Sequence, residues 1–334
     1  MLDGKCVATL RPFTIHNSRF SIHNSTIAAR LVVASNQLRP SPSTKVQPLS
    51  TVAFSLQLVV FALALAMLLR GRTRVLETTL AAAWTWSFAA VTAVGCIEIA
   101  VWLATRDQGP LSPLPAWAAA ARYAAAVLAL CPTIAVLGAK RPQDRAWQWV
   151  VLSFWAILLV PAARSYLLLG GEIAVHAAQG TLMLVVASMG AVNWFATRFR
   201  WAAIAACAAQ LTLIAPYTPL ASVALPAFPP NALIPVLLAL VARRLQENPA
   251  RSANSTERLW LDFRDAFGLF WAVRVMARLN AASAQHGWPI TVTWRGIEFG
   301  DADDRTLAAF ARSLRMLLRR FVADDWLPER TQSP

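Results

Sequence analysis

Charge is scarce in this chain. Asp, Glu, Lys and Arg make up 14% of its 334 residues, against about 25% in a soluble globular domain. A single water-soluble core cannot account for that balance. Whole-chain disorder is excluded too, because 57% of the residues are hydrophobic. Lysine is nearly missing: only Lys5, Lys45 and Lys140 occur, and none lies in the last apolar run, so a retinal Schiff base cannot form there. One histidine, His176, lies in any apolar run, which excludes bis-histidine haem ligation within one chain. There is no HExxH and no GxxxxGK, so a zinc-protease helix and a phosphate loop are absent. No apolar run holds an Asp, and Ser188 lacks a Gly-x-Ser-x-Gly context. Both kinds of intramembrane protease therefore lose their nucleophile or acid–base pair. Cys6, Cys96, Cys131 and Cys207 form no CxxC or metal knuckle, and the last three read as small buried hydrophobes. No cofactor and no catalytic or metal-ligating residue is expected.

What is present is apolar length. A bilayer core near 30 Å needs about 20 helical residues. Seven runs come close: 52–69, 79–104, 115–139, 147–169, 173–195, 201–217 and 221–242. The seventh contains Pro226, Pro229, Pro230 and Pro235, so the last two runs read either as two spans or as one span and a re-entrant segment. The expected fold is an all-α polytopic transmembrane helix bundle of six or seven spans with a small cytoplasmic α+β C-terminal domain. Its divisions are a disordered or spurious extension at 1–50, the bundle at 51–245, a linker at 246–256, a helix–hairpin–helix domain at 257–326 and a disordered tail at 327–334.

The basic excess (31 Lys and Arg against 17 Asp and Glu) does not point to nucleic acid. The one soluble-looking segment, 251–334, is nearly balanced at 12 to 10. Arg70, Arg72, Arg74, Lys140, Arg141, Arg145, Arg198, Arg200, Arg243, Arg244 and Arg251 follow alternate runs, whereas the opposite loops hold only Arg106. Eleven against one places the basic loops and the C-terminus in the cytoplasm, with the chain multi-pass in a cell inner membrane. Six basic residues in 1–50 oppose export of that segment. It also carries a tandem repeat, Phe13-Thr-Ile-His-Asn-Ser-Arg19 followed by Phe20-Ser-Ile-His-Asn-Ser-Thr26. Sequence upstream of the true start would account for both.

Ionisable residues inside apolar runs are the functional lead, since charge in a bilayer is costly and turns to the bundle interior or a cavity. Glu98 and Arg122 lie at matching depth, about 9–10 Å from the outer ends of antiparallel neighbours, and so form an expected ion pair. Arg164, Tyr166, Glu172, His176 and Gln179 gather near the same end. Glu98, Arg122, Arg164, Tyr166 and His176 are therefore the candidate ligand-binding rim for an anionic or zwitterionic molecule; a structural Glu98–Arg122 bridge is the plainer alternative. Asn193 and Gln210 read as hydrogen-bond formers between helices. Trp117, Trp147, Trp149, Trp194 and Trp201 read as the interfacial belt.

Beyond the runs, Ser255-Thr-Glu257 starts a helix to about Ser283, Ile290–Trp294 and Ile297–Phe299 pair as a hairpin, and Asp301, Asp303 and Asp304 lead a helix from about Arg305 to Val322. Those aspartates complement a helix N-terminus rather than make a calcium loop. The last helix carries Arg305, Arg312, Arg315, Arg319 and Arg320 opposite an apolar stripe. It lies either on an anionic leaflet or against helix 257–283.

The stretch Trp260-Leu-Asp-Phe-Arg-Asp-Ala-Phe-Gly268, with Trp271-Ala-Val-Arg274, Arg278-Leu-Asn280, and Gly287-Trp-Pro289 through Trp294-Arg-Gly296, resembles the C-terminal segment of uncharacterised polytopic membrane proteins of planctomycete-type bacteria. The resemblance covers about forty residues and implies no activity. The expected function is a non-enzymatic scaffold, sensor or assembly subunit in the lipid bilayer, with a protein partner or self-association through 257–322 and no nucleic acid. The second reading is a lipid-handling enzyme or small-molecule transporter that uses the outward rim.

Overall fold

A long apolar run has one conformation that bonds every backbone group within itself, the α-helix. The computed structural model describes residues 51–107, 115–169, 173–222, 232–246, 254–323 and Trp326, and helices dominate it. The segment 1–50, most of the linker 246–256, the tail 327–334, Glu172 and the prolines 226, 229 and 230 lie outside the described residues.

Among the described residues, five helices are long and apolar enough to cross a membrane: Thr51–Gly71, Ala81–Thr105, Trp117–Leu137, Asp144–Leu167 and Ala177–Phe195. In chain order we label α1 (Thr51–Gly71), α2 (Thr73–Leu76), α3 (Ala81–Thr105), α4 (Ala116–Leu128), α5 (Cys131–Leu137), α6 (Asp144–Arg164) and α7 (Ala177–Phe195). α4 and α5 are one apolar run broken by a turn, and Pro132 in the first turn of α5 is the cause: a proline has no N–H to continue the ladder. α8 (Arg200–Ile214) and α9 (Leu233–Leu245) fall in the sixth and seventh expected runs. They have 15 and 13 residues, about 20–22 Å each, and are shorter than the other five.

Among the three cysteines expected to be buried, Cys131 is buried, Cys207 is half-buried and Cys96 is exposed on the outside of α3. Small apolar side chains on a helix in a bundle follow the helix face, not the residue type.

α10 (Ser255–His286), a two-stranded hairpin of β1 (Thr291–Val292) and β2 (Ile297–Glu298), and α11 (Asp304–Leu318) complete the chain. Thr291 faces Glu298 and Val292 faces Ile297 in antiparallel register. Asn254 caps α10 by accepting from the Thr256 N–H, and Asp303 caps α11 by accepting from the Thr306 N–H. Trp260, Phe263, Phe267 and Leu279 of α10 pack with Val292, with Phe310, Leu314 and Leu318 of α11, and with Phe321. Burying each such side chain contributes about 1.5–3 kcal/mol. That packing settles the choice left open for the basic amphipathic helix: its apolar stripe faces α10.

The same segment is tied to one end of the bundle. The Thr79 N–H donates to the Phe321 carbonyl, the Ala323 N–H to that of Glu77 and the Arg141 N–H to that of Arg320. The Trp271 indole donates to the Val136 carbonyl and the Trp294 indole to that of Ala196. Three arginine-bearing connections, after α1, after α5 and after α7, thus meet the C-terminal helices at a single end, the loop end. The apolar faces of α10 and α11 are spent on this packing.

Candidate functional site

The polar residues of the apolar helices divide between the two ends. At the end away from the C-terminal helices, Arg122 of α4 donates from Nε to Glu98 Oε1 at 2.8 Å and from Nη2 to Oε2 at 2.7 Å. Glu98 is buried on α3. This planar fork is the geometry a guanidinium and a carboxylate share best. Tyr123, next in the chain, is fully buried and donates its hydroxyl to the Leu158 carbonyl at 2.8 Å. Its ring stands edge-on to that of Tyr217, 4.8 Å between centroids. The other expected rim residues do not join this pair. Arg164 and Tyr166 are exposed and make no hydrogen bond or ion pair among the described residues. His176 is exposed as the N-cap of α7, with Nδ1 accepting from the Ala178 N–H. Of these five residues, two form an ion pair and one caps a helix.

A cavity of about 590 Å³ opens at the loop end instead. Its size falls within the roughly 300–1,000 Å³ of ordinary ligand pockets. Small side chains make the room: Ala83, Ala90, Ala129, Ala202, Ala206 and Ala239 face it, with Leu68, Val91, Leu213 and Leu240. Gln210 is one of its polar lining residues. Gln210 Nε2 donates to the Ala129 carbonyl at 2.8 Å, in the turn where Pro132 breaks the helix ladder. One side chain thus satisfies the broken backbone and adds a polar group to an apolar wall. Gly190 of α7 leaves space for this arrangement, since a Cβ there would come within 2.9 Å of Thr133 Oγ1.

The mouth is charged. Arg198, Arg243, Arg258, Asp262 and Asp265 line it together with Trp84, Trp194 and Trp326. Arg198, in the turn after α7, reaches Asp262 Oδ1 at 2.9 Å and Asp265 Oδ2 at 3.4 Å. Arg264 holds the other Asp265 oxygen at 2.8 Å and lies over the Trp294 ring. Asp262 and Asp265 are both almost wholly buried. Buried carboxylates are costly unless paired, and these are paired by arginines from two different elements. Residues 258, 262 and 265 recur at helical spacing on α10, which presents them as one face to the turn after α7.

Sequence reasoning missed this mouth. It read the dense aromatic, Arg and Asp content of the Trp260–Gly268 stretch as a packing surface or the core of a small domain, and did not connect its aspartates to the turn after α7. The available signal was their position: Asp262 and Asp265 alternate with Leu261, Phe263 and Phe267 in a stretch otherwise destined for a core. No protein-family model, curated protein or solved structure matches the chain.

Proposed function

We propose that this chain is a multi-pass inner-membrane protein that binds an amphiphile, an apolar body with a polar head, in the cavity at its loop end, and that its role is that of a sensor or carrier rather than a chemical catalyst. The loops and the C-terminus lie in the cytoplasm in this reading. α8 and α9 serve as the sixth and seventh crossing segments, shorter than the rest. Eleven basic residues following alternate apolar runs support that orientation, as does the meeting of those connections with the C-terminal helices at one end.

The cavity carries the functional reading. Its alanine- and leucine-lined interior suits a hydrocarbon chain, and its arginine–aspartate mouth suits a polar head. The lipid-handling alternative to a scaffold is therefore favoured, with its site moved from the outer rim to the loop end. The C-terminal helices cover that mouth rather than hang free, so a bound molecule would be felt by them directly.

The test is purification of the full chain in mild detergent, followed by native mass spectrometry and extraction of whatever co-purifies. One amphiphile per chain is expected, or, for a chain that purifies empty, a rise in melting temperature with added lysophospholipid. Ala206→Trp fills the cavity from a position that faces its open space. It should abolish binding while leaving the melting temperature of the empty protein unchanged. A wild-type chain that neither carries nor responds to an amphiphile, or an Ala206→Trp chain that binds as well as wild type, would overturn the reading.

A further inference from the structure

A second feature of the loop end lies outside the cavity. Lys140 and Arg141 occupy the short turn between α5 and α6. Arg274 and Arg278 stand four residues apart on α10 and so share one face. Arg274 lies over the ring of Trp271, 5.0 Å from its centroid, and the indole N–H of Trp271 is bonded to the Val136 carbonyl at the end of α5. Arg320, just past α11, accepts from the Arg141 N–H through its carbonyl at 2.8 Å. Three elements thus bring five cations together. None of the five makes an ion pair among the described residues. Asp144, on the first turn of α6, pairs with none of them. The Lys140 ammonium is held below its ordinary pKa, by partial burial first and then by Arg278, Arg320 and Arg274. Arg141, Arg274, Arg278 and Arg320 are exposed.

Such a cluster repels itself unless an anion answers it. Its position says which anion. Leu137 ends one membrane-length helix and Asp144 begins the next. Lys140, three residues past Leu137, can stand at most about 10 Å beyond the hydrocarbon edge. The headgroup layer there is about 5–8 Å deep, and charge acts through water over about 8 Å. We propose that Lys140, Arg141, Arg274, Arg278 and Arg320 form a binding site for the phosphate headgroups of anionic lipids in the adjoining leaflet, which holds the C-terminal helices down on the membrane. The proposal rests on the membrane crossing described above, but not on the cavity.

The experiment titrates phosphatidylglycerol and phosphatidylcholine of identical acyl chains against the full-length protein in detergent, with bound lipid counted by native mass spectrometry. Phosphatidylglycerol should bind at least about tenfold more tightly, with about fivefold lost for each charge removed. The variant R274Q/R278Q/R320Q should lose the preference, and R274K/R278K/R320K should keep it. High salt should abolish the preference of the unaltered chain, a readout that needs no variant to fold. Ala206→Trp should leave the preference intact, which separates this site from the cavity. Equal affinity for the two lipids, an unchanged glutamine variant, loss in the lysine variant, indifference to salt, loss of the preference in Ala206→Trp, or tighter binding of a single-stranded RNA than of phosphatidylglycerol would each overturn the proposal.

Discussion

The side chain of Asn193 mends the break that Gly268 makes in α10. Gly268 has φ 73° and ψ −170° in the middle of the helix, a conformation essentially reserved for glycine. The break leaves a carbonyl and an N–H without helical partners. Asn193 of α7 donates from Nδ2 to the Phe267 carbonyl at 3.3 Å and accepts at Oδ1 from the Phe270 N–H at 2.9 Å. The amide is buried, so no water substitutes for it. The junction between bundle and C-terminal helices thus runs through a donor and an acceptor on one side chain.

Gly268→Ala should therefore be among the most damaging single changes. A Cβ there would stand 2.4 Å from Asn193 Nδ2 and 2.6 Å from the Asn193 carbonyl oxygen, and the backbone conformation alone costs about 1–3 kcal/mol for an L residue. Asn193→Ala should cost about 1–3 kcal/mol for each of the two backbone groups it strands. Asn193→Asp keeps the acceptor and loses the donor, so it should fall between wild type and Asn193→Ala. Unfolding followed by tryptophan fluorescence in micelles measures all three. The double variant should cost less than the sum of the singles, because part of the clash is with the side chain removed.

Much of the helical layout was legible before any coordinates. Five apolar runs became five helices of membrane length, and the depths of Glu98 and Arg122 matched because rise per residue is fixed. The short strands Thr291–Val292 and Ile297–Glu298 lie within the two segments whose alternation suggested a hairpin, and α11 begins at Asp304 against an expected start near Arg305. The Gly268 break was not legible, because Trp260, Phe263 and Phe267 before it and Trp271, Val275 and Leu279 after it keep one continuous helical spacing. The cavity was invisible for a different reason. An alanine facing another helix and an alanine facing a void read alike, and only the packing of α8 and α9 decides between them. Of the five rim residues, spacing along the helices made only the Glu98–Arg122 pairing legible; the cap that His176 makes on α7 was not read.

The Glu98–Arg122 pair makes a prediction of the opposite kind from a ligand site. Removing one partner strands a charge among apolar helices, at about 3–5 kcal/mol. Glu98→Gln and Arg122→Gln should each lower stability by that order, and the double variant should recover most of it. Arg122→Lys should recover little, since an ammonium cannot make the two parallel bonds of the guanidinium. Thermal melts of the four variants beside wild type suffice. A double variant no more stable than either single one would mean that the pair does more than bridge α3 and α4.

The cap of α11 gives a pH dependence with a definite sign. The Asp303 carboxyl is held below its ordinary value near 3.8, chiefly by hydrogen bonds from Thr306. A group depressed in the folded state contributes stability above its unfolded pKa and loses it as pH falls through the folded one. Asp303→Ala should lower the melting temperature at neutral pH, and the difference from wild type should shrink below pH 3.8. Asp303→Ser retains a capping oxygen without the ionisation. Its difference from wild type should be small at neutral pH and should not follow that curve.

Arg198 makes the most demanding prediction, because two buried carboxylates depend on it. Asp262 and Asp265 are almost fully enclosed, and Arg264 answers only one of them in the bonds described. Arg198→Leu removes the guanidinium bonded to Asp262 at 2.9 Å and should destabilise by about 3–5 kcal/mol. The loss should be local in space. Arg198 belongs to the turn after α7 and the aspartates to α10, so what loosens is the seating of α10 on the bundle. Hydrogen exchange should accelerate across Leu259–Phe267 while the amides of α3 and α6 keep their protection. Adding Asp262→Asn to Arg198→Leu should restore part of that protection, because an amide at that site carries no charge to strand. If exchange rises equally in every helix, the network stabilises the bundle as a whole rather than fastening its C-terminal cover.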